Sequence, residues 1–154
     1  MPNDWFDVLL LTGRPASGKS EIIDFFTRLP APERRERYHL NTLDIIDDFP
    51  MLWTWFDEDH ILRTRLGRPP LYTDEKGDFN HPALWHLLIE RLSLEYDKRR
   101  RDPDYHERHT TLVEFSRGTS HGGYHEALPH LGQSLLERAA LVYVNVSFAE
   151  SLRK

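Results

Sequence analysis

Apolar residues occur in short runs along this chain, and four of these runs predict β-strands. The clearest is Val8–Leu11, an unbroken aliphatic run typical of a strand that is buried on both faces. Three later stretches also predict strands: Tyr38–Asn41, Thr110–Gly118 and Leu141–Val146. Because helical segments join the runs, the strands are expected to be parallel. The pattern therefore predicts an α/β fold with a mainly parallel sheet flanked by helices.

Other segments carry apolar residues at helical spacing. The first predicted helix begins near Gly18 and ends before Pro30. Its apolar face holds Ile22, Phe25, Phe26 and Leu29. A second helix is predicted from Met51 to Leu66 and a third from Pro82 to about Arg101. The charged residues before Tyr38 are expected to form a surface loop. The long loop Gly67–Pro82 is expected to border a substrate, as long loops in compact domains often do.

The last predicted strand raises a question about the end of the sheet. Leu141–Val146 is apolar and is expected at a sheet edge, which proteins normally cover. Ser147 and Glu150 have the spacing of a capping box and predict a helix, yet only 151–154 follow. We therefore expect either that the natural protein continues beyond Lys154, or that a partner covers the edge, as in a homodimer.

Composition narrows the class of protein. The chain has 154 residues, of which 39% are hydrophobic, and no cysteine, so we expect a single domain, 1–154, without disulfides or zinc-thiolate sites. We expect a cytoplasmic protein without a membrane partner, because no apolar run is long enough to span a bilayer. The net charge of -5 argues against nucleic acid as the main partner. The basic run Lys98–Arg101 is interpreted as the complement of a helix C-terminus.

The segment between the first strand and the first helix, GRPASGKS, fits the P-loop pattern G-x-x-x-x-G-K-[ST] at every fixed position. Glycines allow a loop to turn its backbone N–H groups toward a phosphate, and the following helix directs its positive end to the same place. All eight residues are candidates for nucleotide binding: Gly13, Arg14, Pro15, Ala16, Ser17, Gly18, Lys19 and Ser20. Lys19 is expected to contact the β- and γ-phosphates, and the Ser20 hydroxyl to ligate Mg²⁺.

Three side chains outside the loop are candidates for the rest of the site. Asp44 follows the predicted second strand, at the edge where parallel sheets bind ligands, and could deprotonate an acceptor. Its neighbours Asp47 and Asp48 are expected to be solvated. Glu114 lies in the third strand and could hold the water shell of Mg²⁺. Arg117 could bind a substrate phosphate or carboxylate, or form a surface ion pair.

Two further groups leave alternatives open. Trp53, Trp55 and Phe56 could stack on a substrate ring or belong to the core. His121 and His125 are four residues apart, but the glycines between them weaken a helix and disfavour a metal site. Residues 118–123 are expected to form a flexible loop at the rim, before a helix that ends near Arg138.

The order of these parts resembles the P-loop small-molecule and nucleotide kinases, including nucleoside, nucleoside-monophosphate, shikimate and gluconate kinases. LNTLD is similar to the family's substrate-side acid, VEFSRG to its strand-end acid followed by arginine, and SFAESLRK to the helix that opens its lid. The strand-end acid is Glu114 where the family more often has Asp, and Arg153 is the one candidate for a lid arginine.

The resemblance implies a three-layer P-loop NTPase fold and an ATP- and Mg²⁺-dependent transfer of phosphate to a small acceptor such as a nucleoside, nucleotide or sugar acid. In this interpretation Lys19, Asp44 and Arg117 are catalytic, and Ser20 and Glu114 hold the metal. The alternative is a nucleotide-binding regulatory or interaction module without phosphotransferase activity.

Overall fold

The computed structural model describes residues 3–153, and its centre is a four-stranded sheet. The strands are β1 (Val8–Gly13), β2 (Thr42–Asp47), β3 (His109–Glu114) and β4 (Ala139–Val144). Their order across the sheet is β2-β3-β1-β4, and every neighbouring pair is parallel. The predicted α/β class with a parallel sheet flanked by helices is therefore confirmed, and the last strand lies at an edge.

Eight helices surround the sheet in the described part of the chain. They are α1 (Lys19–Arg28), α2 (Ala31–Tyr38), α3 (Phe49–Thr64), α4 (Ala83–Arg99), α5 (Tyr105–Arg108), α6 (Gly123–Ala127), α7 (Gln133–Leu136) and α8 (Phe148–Ser151). Single 3₁₀ turns at Thr119–His121 and Leu128–His130 flank α6. None of these helices is long and apolar enough to cross a bilayer.

Alternate residues of β1 supply the two faces of the sheet. Val8 and Leu10 pack with a cluster that includes Ile89 and Leu92 of α4. Leu9 and Leu11 pack on the opposite face, against α1 and the residues after α2. Since successive side chains of a strand point to opposite faces, a continuous aliphatic run is what a sheet covered on both sides requires.

The region from residue 38 to residue 48 differs from its prediction. Residues 31–38 form α2 instead of a surface loop, and the second strand is Thr42–Asp47 instead of Tyr38–Asn41. Arg34 explains the missed helix, because this buried side chain docks α2 through backbone carbonyls. It donates to the carbonyls of Asn41 at 3.0 Å, Phe26 at 3.2 Å and Leu29 at 3.1 Å. Because this contact is polar, the hydropathy pattern of the sequence does not reveal it.

The long loop after α3 is held in place by one carboxylate. Asp59, buried on α3, accepts hydrogen bonds from the backbone N–H groups of Leu71 at 2.6 Å and Thr73 at 2.8 Å, and from the Thr73 hydroxyl at 2.8 Å. The N–H of Tyr72 also donates to it, at 3.1 Å. This clamp folds the loop back over the aromatic cluster formed by α3 and the start of α4.

Candidate functional site

The loop Gly13–Ser20, here called the glycine loop, joins the end of β1 to the start of α1. It turns sharply, with positive φ at Gly13 (153°), Ala16 (58°) and Gly18 (100°). Gly13 is also crowded, since a Cβ at this position would lie 2.8 Å from Ser17 Oγ and 3.0 Å from the Val144 carbonyl oxygen. A glycine is therefore needed at position 13 for both conformation and space.

Lys19 begins α1 and folds back over the glycine loop. Its Nζ donates to the Arg14 carbonyl at 2.9 Å and to the Gly13 carbonyl at 3.4 Å, and the residue is only 5% exposed. Burial lowers the pKa of Lys19, while the nearby carboxylates of Glu114, Asp47 and Asp48 oppose that effect. The loop thus carries a shielded positive charge at the helix N-terminus, beside an acidic cluster.

Two carboxylates at the ends of neighbouring strands face this lysine. Asp47 ends β2 and Glu114 ends β3, and the two residues are partners in the parallel register. Burial raises the pKa of each, and their mutual repulsion raises that of Glu114 further. The pair therefore favours a nearby positive charge, and charge–charge attraction to Lys19 lowers both pKa values in part.

A cavity of about 480 Å³ brings the predicted residues together. It is lined by most of the glycine loop, including Lys19 and Ser20, and by Asp47, Glu114 and Ser116. A hydroxyl and two carboxylates are oxygen ligands of the kind that Mg²⁺ prefers. Within residues 3–153 no three His, Cys, Asp or Glu side chains form a metal cage, and Mg²⁺ is usually bound by one or two carboxylates together with substrate phosphates.

Asp44 is not part of this cavity. It lies in the middle of β2, where it pairs with Thr111 in the register, and not after the strand as predicted. Its Oδ2 accepts hydrogen bonds from Arg99 Nε and from the Tyr105 hydroxyl, both at 2.7 Å. The prediction that Asp44 follows the second strand is wrong, because that strand begins later than its hydropathy indicates. Asp47 occupies the position at the strand end.

Arg117 is committed to a buried ion pair. Its guanidinium lies 2.7 Å from Asp48, and both side chains are 3% exposed. It also donates to the carbonyls of Ser116 at 2.6 Å and Trp85 at 3.2 Å, while its Nε has no hydrogen-bond partner among the described residues. The expectation that Asp48 is solvated is wrong, and the alternative of a surface ion pair for Arg117 is wrong too. Burial raises the pKa of Asp48, and Arg117 opposes that shift.

Tyr124 supports the start of the glycine loop and was missed by sequence reasoning. Its hydroxyl accepts a hydrogen bond from the Gly13 N–H at 2.9 Å, and it lies 2.8 Å from the Gly13 carbonyl and 2.9 Å from the Phe115 carbonyl. Ser116 Oγ also donates to the Gly13 carbonyl, at 3.1 Å. Tyr124 is far from the loop in sequence, so no local motif reveals the contact.

No protein-family model matches the chain, and no curated protein matches it.

Proposed function

We propose that this chain is a P-loop phosphotransferase that moves the γ-phosphoryl group of ATP, with Mg²⁺, to a hydroxyl of a small acceptor. The observation that carries the proposal is the position of Lys19, buried in the turn of the glycine loop and beside the strand-end carboxylates Asp47 and Glu114. A positive charge, a helix N-terminus and paired oxygen ligands at one edge of a parallel sheet suit a metal-bound polyphosphate.

In this proposal the glycine loop binds the polyphosphate and stabilises the charge that develops during transfer. The backbone N–H groups of the loop donate to phosphate oxygens. Lys19 Nζ leaves the loop carbonyls and donates to the β- and γ-phosphates instead. Ser20 and Glu114 hold Mg²⁺, which when bound neutralises phosphate charge. Because these cations and N–H groups are already in place, little reorganisation is needed when the transition state forms. Positioning and electrostatic stabilisation therefore account for the rate enhancement.

Asp47 takes the role that the sequence assigned to Asp44. Its carboxylate lines the same cavity as Lys19 and Ser20, whereas Asp44 is engaged by Arg99 and Tyr105. Asp47 orients the acceptor hydroxyl and accepts its proton while the acceptor oxygen bonds to the γ-phosphorus. The bond from that phosphorus to the β,γ-bridging oxygen breaks in the same step, which releases ADP. Arg117 acts as a positioning residue, because Asp48 and two backbone carbonyls hold its guanidinium in a buried position.

A second cavity, which shares the loop residues Pro15 and Ala16 with the first, suits the nucleoside part of ATP. It has a volume of about 570 Å³ and is bordered by Gly13, Arg14, Tyr143 and Phe148. The Arg14 guanidinium lies 5.8 Å from the centroid of the Phe148 ring. An exposed ring paired with a cation can contact a heterocyclic base through stacking and cation–π attraction.

The experiment that tests the proposal is ADP release from MgATP with a panel of hydroxyl-bearing acceptors. We expect at least one acceptor to stimulate release, and Lys19→Ala and Glu114→Gln to abolish the stimulated rate. An unchanged rate in Lys19→Ala would contradict the proposal. The exposed Lys98→Ala variant is the matched control, since Lys98 pairs with Glu95 on α4, away from the loop.

The second candidate function is a nucleotide-binding interaction module that transfers no phosphate. It is favoured by the edge strand β4, on which Leu141 is 62% and Tyr143 is 51% exposed. An apolar parallel edge can pair with another chain, including a second copy of this one. MgATP binding without ADP release for any acceptor, together with a dimer in light scattering, would favour this candidate over the transferase.

A further inference from the structure

A cavity with aromatic walls adjoins the phosphate end of the proposed site. Its volume is about 920 Å³, enough for a small molecule of drug-like size. It lies between α3, the loop before α4, the start of α4 and the turn at Thr119–His121. This cavity, here called the aromatic cavity, contains none of the glycine loop residues.

Phe49 connects the two cavities. Phe49 lines both the aromatic cavity and the cavity that contains Lys19 and Ser20. Its N–H donates to Asp47 Oδ1 at 2.9 Å, so the wall of the aromatic cavity is bonded directly to the proposed base. A molecule in the aromatic cavity would therefore contact a residue that is hydrogen-bonded to Asp47.

The walls are made of flat rings. Phe56 and Phe79 are stacked, with centroids 5.7 Å apart, and Phe79 meets Trp85 edge-on at 4.7 Å. Trp53 tilts against Phe56 at 5.8 Å and remains 59% exposed, so its ring is open for stacking. Such rings favour a planar aromatic or heteroaromatic ligand.

The charge of the cavity opposes an anion. Its acidic lining residues are Asp78 and Glu126, its two histidines are His86 and His121, and none of the described lining residues is Lys or Arg. His86 Nε2 lies 3.7 Å from Glu126 Oε2, so Glu126 has a histidine beside it, while Asp78 has none among the residues that the structure describes. Arg117 lies behind Trp85, 5.1 Å from the centroid of that ring, and is paired with Asp48. A phosphate or carboxylate placed here would meet two carboxylates and two histidines, but no lysine or arginine of the described lining.

We infer that the acceptor is an alcohol with a planar ring and no anionic group. This inference rests on the proposed phosphotransferase function and narrows it, because it excludes nucleotides and sugar acids. Trp53 and Phe49 contact the ring, Glu126 and Asp78 exclude anions, and Asp47 receives the hydroxyl.

The first test measures binding alone, in the full chain without nucleotide. Adenosine, cytidine, thymidine and pyridoxine are titrated while tryptophan fluorescence is followed, alongside the 5′-monophosphates of the three nucleosides, gluconate and shikimate. We expect at least one ring alcohol to bind at least tenfold more tightly than its monophosphate or either acid. Equal or tighter binding of the anionic compounds, or no binding of any ring alcohol, would overturn the inference.

Two sets of variants separate stacking from charge. Trp53→Ala is expected to weaken binding of the ring alcohol at least fivefold, with Trp53→Phe restoring most of it; calorimetry provides the readout for these variants. The double variant Asp78→Asn/Glu126→Gln is expected to reduce the discrimination against the monophosphate at least threefold. Glu90→Gln is the matched control, because Glu90 lies on α4 and pairs with His130 outside the cavity lining. Unchanged discrimination in the double variant would contradict the assigned role of the two acids.

The two proposals can fail separately. If MgATP binds through Lys19 and a nucleotide or sugar acid proves the best acceptor for ADP release, this inference fails while the phosphotransferase stands. If ring alcohols bind to the aromatic cavity but no acceptor releases ADP, the phosphotransferase fails while the preference of the cavity is retained.

Discussion

Arg117 lies 2.7 Å from Asp48 in an ion pair from which solvent is almost entirely excluded. The pair joins the segment after β2 to the segment after β3, and Trp85 of α4 covers it. It therefore fixes the ends of the two strands that present Asp47 and Glu114. Sequence reasoning placed Arg117 either at a substrate or in a surface ion pair, but the structure gives it this buried partner.

Breaking this pair is expected to destabilise the fold strongly. Arg117→Met leaves the Asp48 carboxylate buried without its cation, and such losses cost about 3–5 kcal/mol. Urea unfolding at pH 7 measures the change. Asp24→Asn is the matched control, because the Arg28–Asp24 pair is 3.5 Å long with side chains 82% and 69% exposed, and such surface pairs contribute less than about 1 kcal/mol. Similar losses in the two variants would show that burial of the pair is unimportant.

Substitutions at two aspartates of β2 are expected to differ, one lowering turnover and the other lowering stability. Asp47→Asn removes the proposed base and should lower turnover by about 10²- to 10⁴-fold. Asp44→Asn weakens a hydrogen-bonded ion pair with Arg99 and should lower the free energy of unfolding by about 1–3 kcal/mol, with turnover changed by only a few-fold. ADP release and urea unfolding on both variants make the comparison. The reverse pattern would return the catalytic role to Asp44.

The sequence predicts the position of the glycine loop well and the second strand poorly, for physical reasons. The residue pattern of the loop is local, so its place between the first strand and the first helix can be predicted without knowing its neighbours. The start of β2 depends on distant contacts, since the Asn41 N–H donates to Thr110 Oγ1 at 2.9 Å and Asn41 Nδ2 donates to the Glu107 carbonyl. These contacts carry no periodic signal, and the error of a few residues moved the proposed base from Asp47 to Asp44.

The fit of Gly13 gives a steric prediction. Gly13→Ala places a methyl group against Ser17 Oγ and the Val144 carbonyl at a positive φ, and should cost about 1–3 kcal/mol while weakening MgATP binding at least tenfold. Gly67→Ala is the control, because Gly67 also has a positive φ (59°) but no atom lies within 4 Å of its Cβ position. It should cost about 1 kcal/mol and leave binding unchanged. Normal MgATP affinity in Gly13→Ala would contradict the close packing of the loop.

The Asp59 clamp predicts a pH dependence. Burial alone would raise the pKa of Asp59, but hydrogen bonds from Thr73 and from the N–H groups of Leu71, Tyr72 and Thr73 together lower it. The unfolded chain therefore takes up this proton first as the pH falls. The stabilisation by Asp59 is present above its ordinary value of 3.8 and is lost as the pH falls through the lower folded value.

Asp59→Asn should thus lower the free energy of unfolding by about 2 kcal/mol at pH 7, and the difference from the wild type should shrink below pH 4. Comparison with this variant is needed because the raised pKa values of Asp47, Asp48 and Glu114 act in the opposite direction. Asp57→Asn, on the same helix, should change little at any pH. A difference that stays constant down to pH 3 would show that ionised Asp59 is not the clamp.

The central claim is that the glycine loop with Lys19 binds the phosphates of ATP. Its most direct test is calorimetric titration of MgATP into the wild-type chain, Lys19→Ala and Lys98→Ala. We predict binding by the wild type, an unchanged affinity in Lys98→Ala and a loss of at least about tenfold in Lys19→Ala, as expected for a hydrogen-bonded charge. Equal affinity in Lys19→Ala, or no binding by the wild type, would contradict the claim.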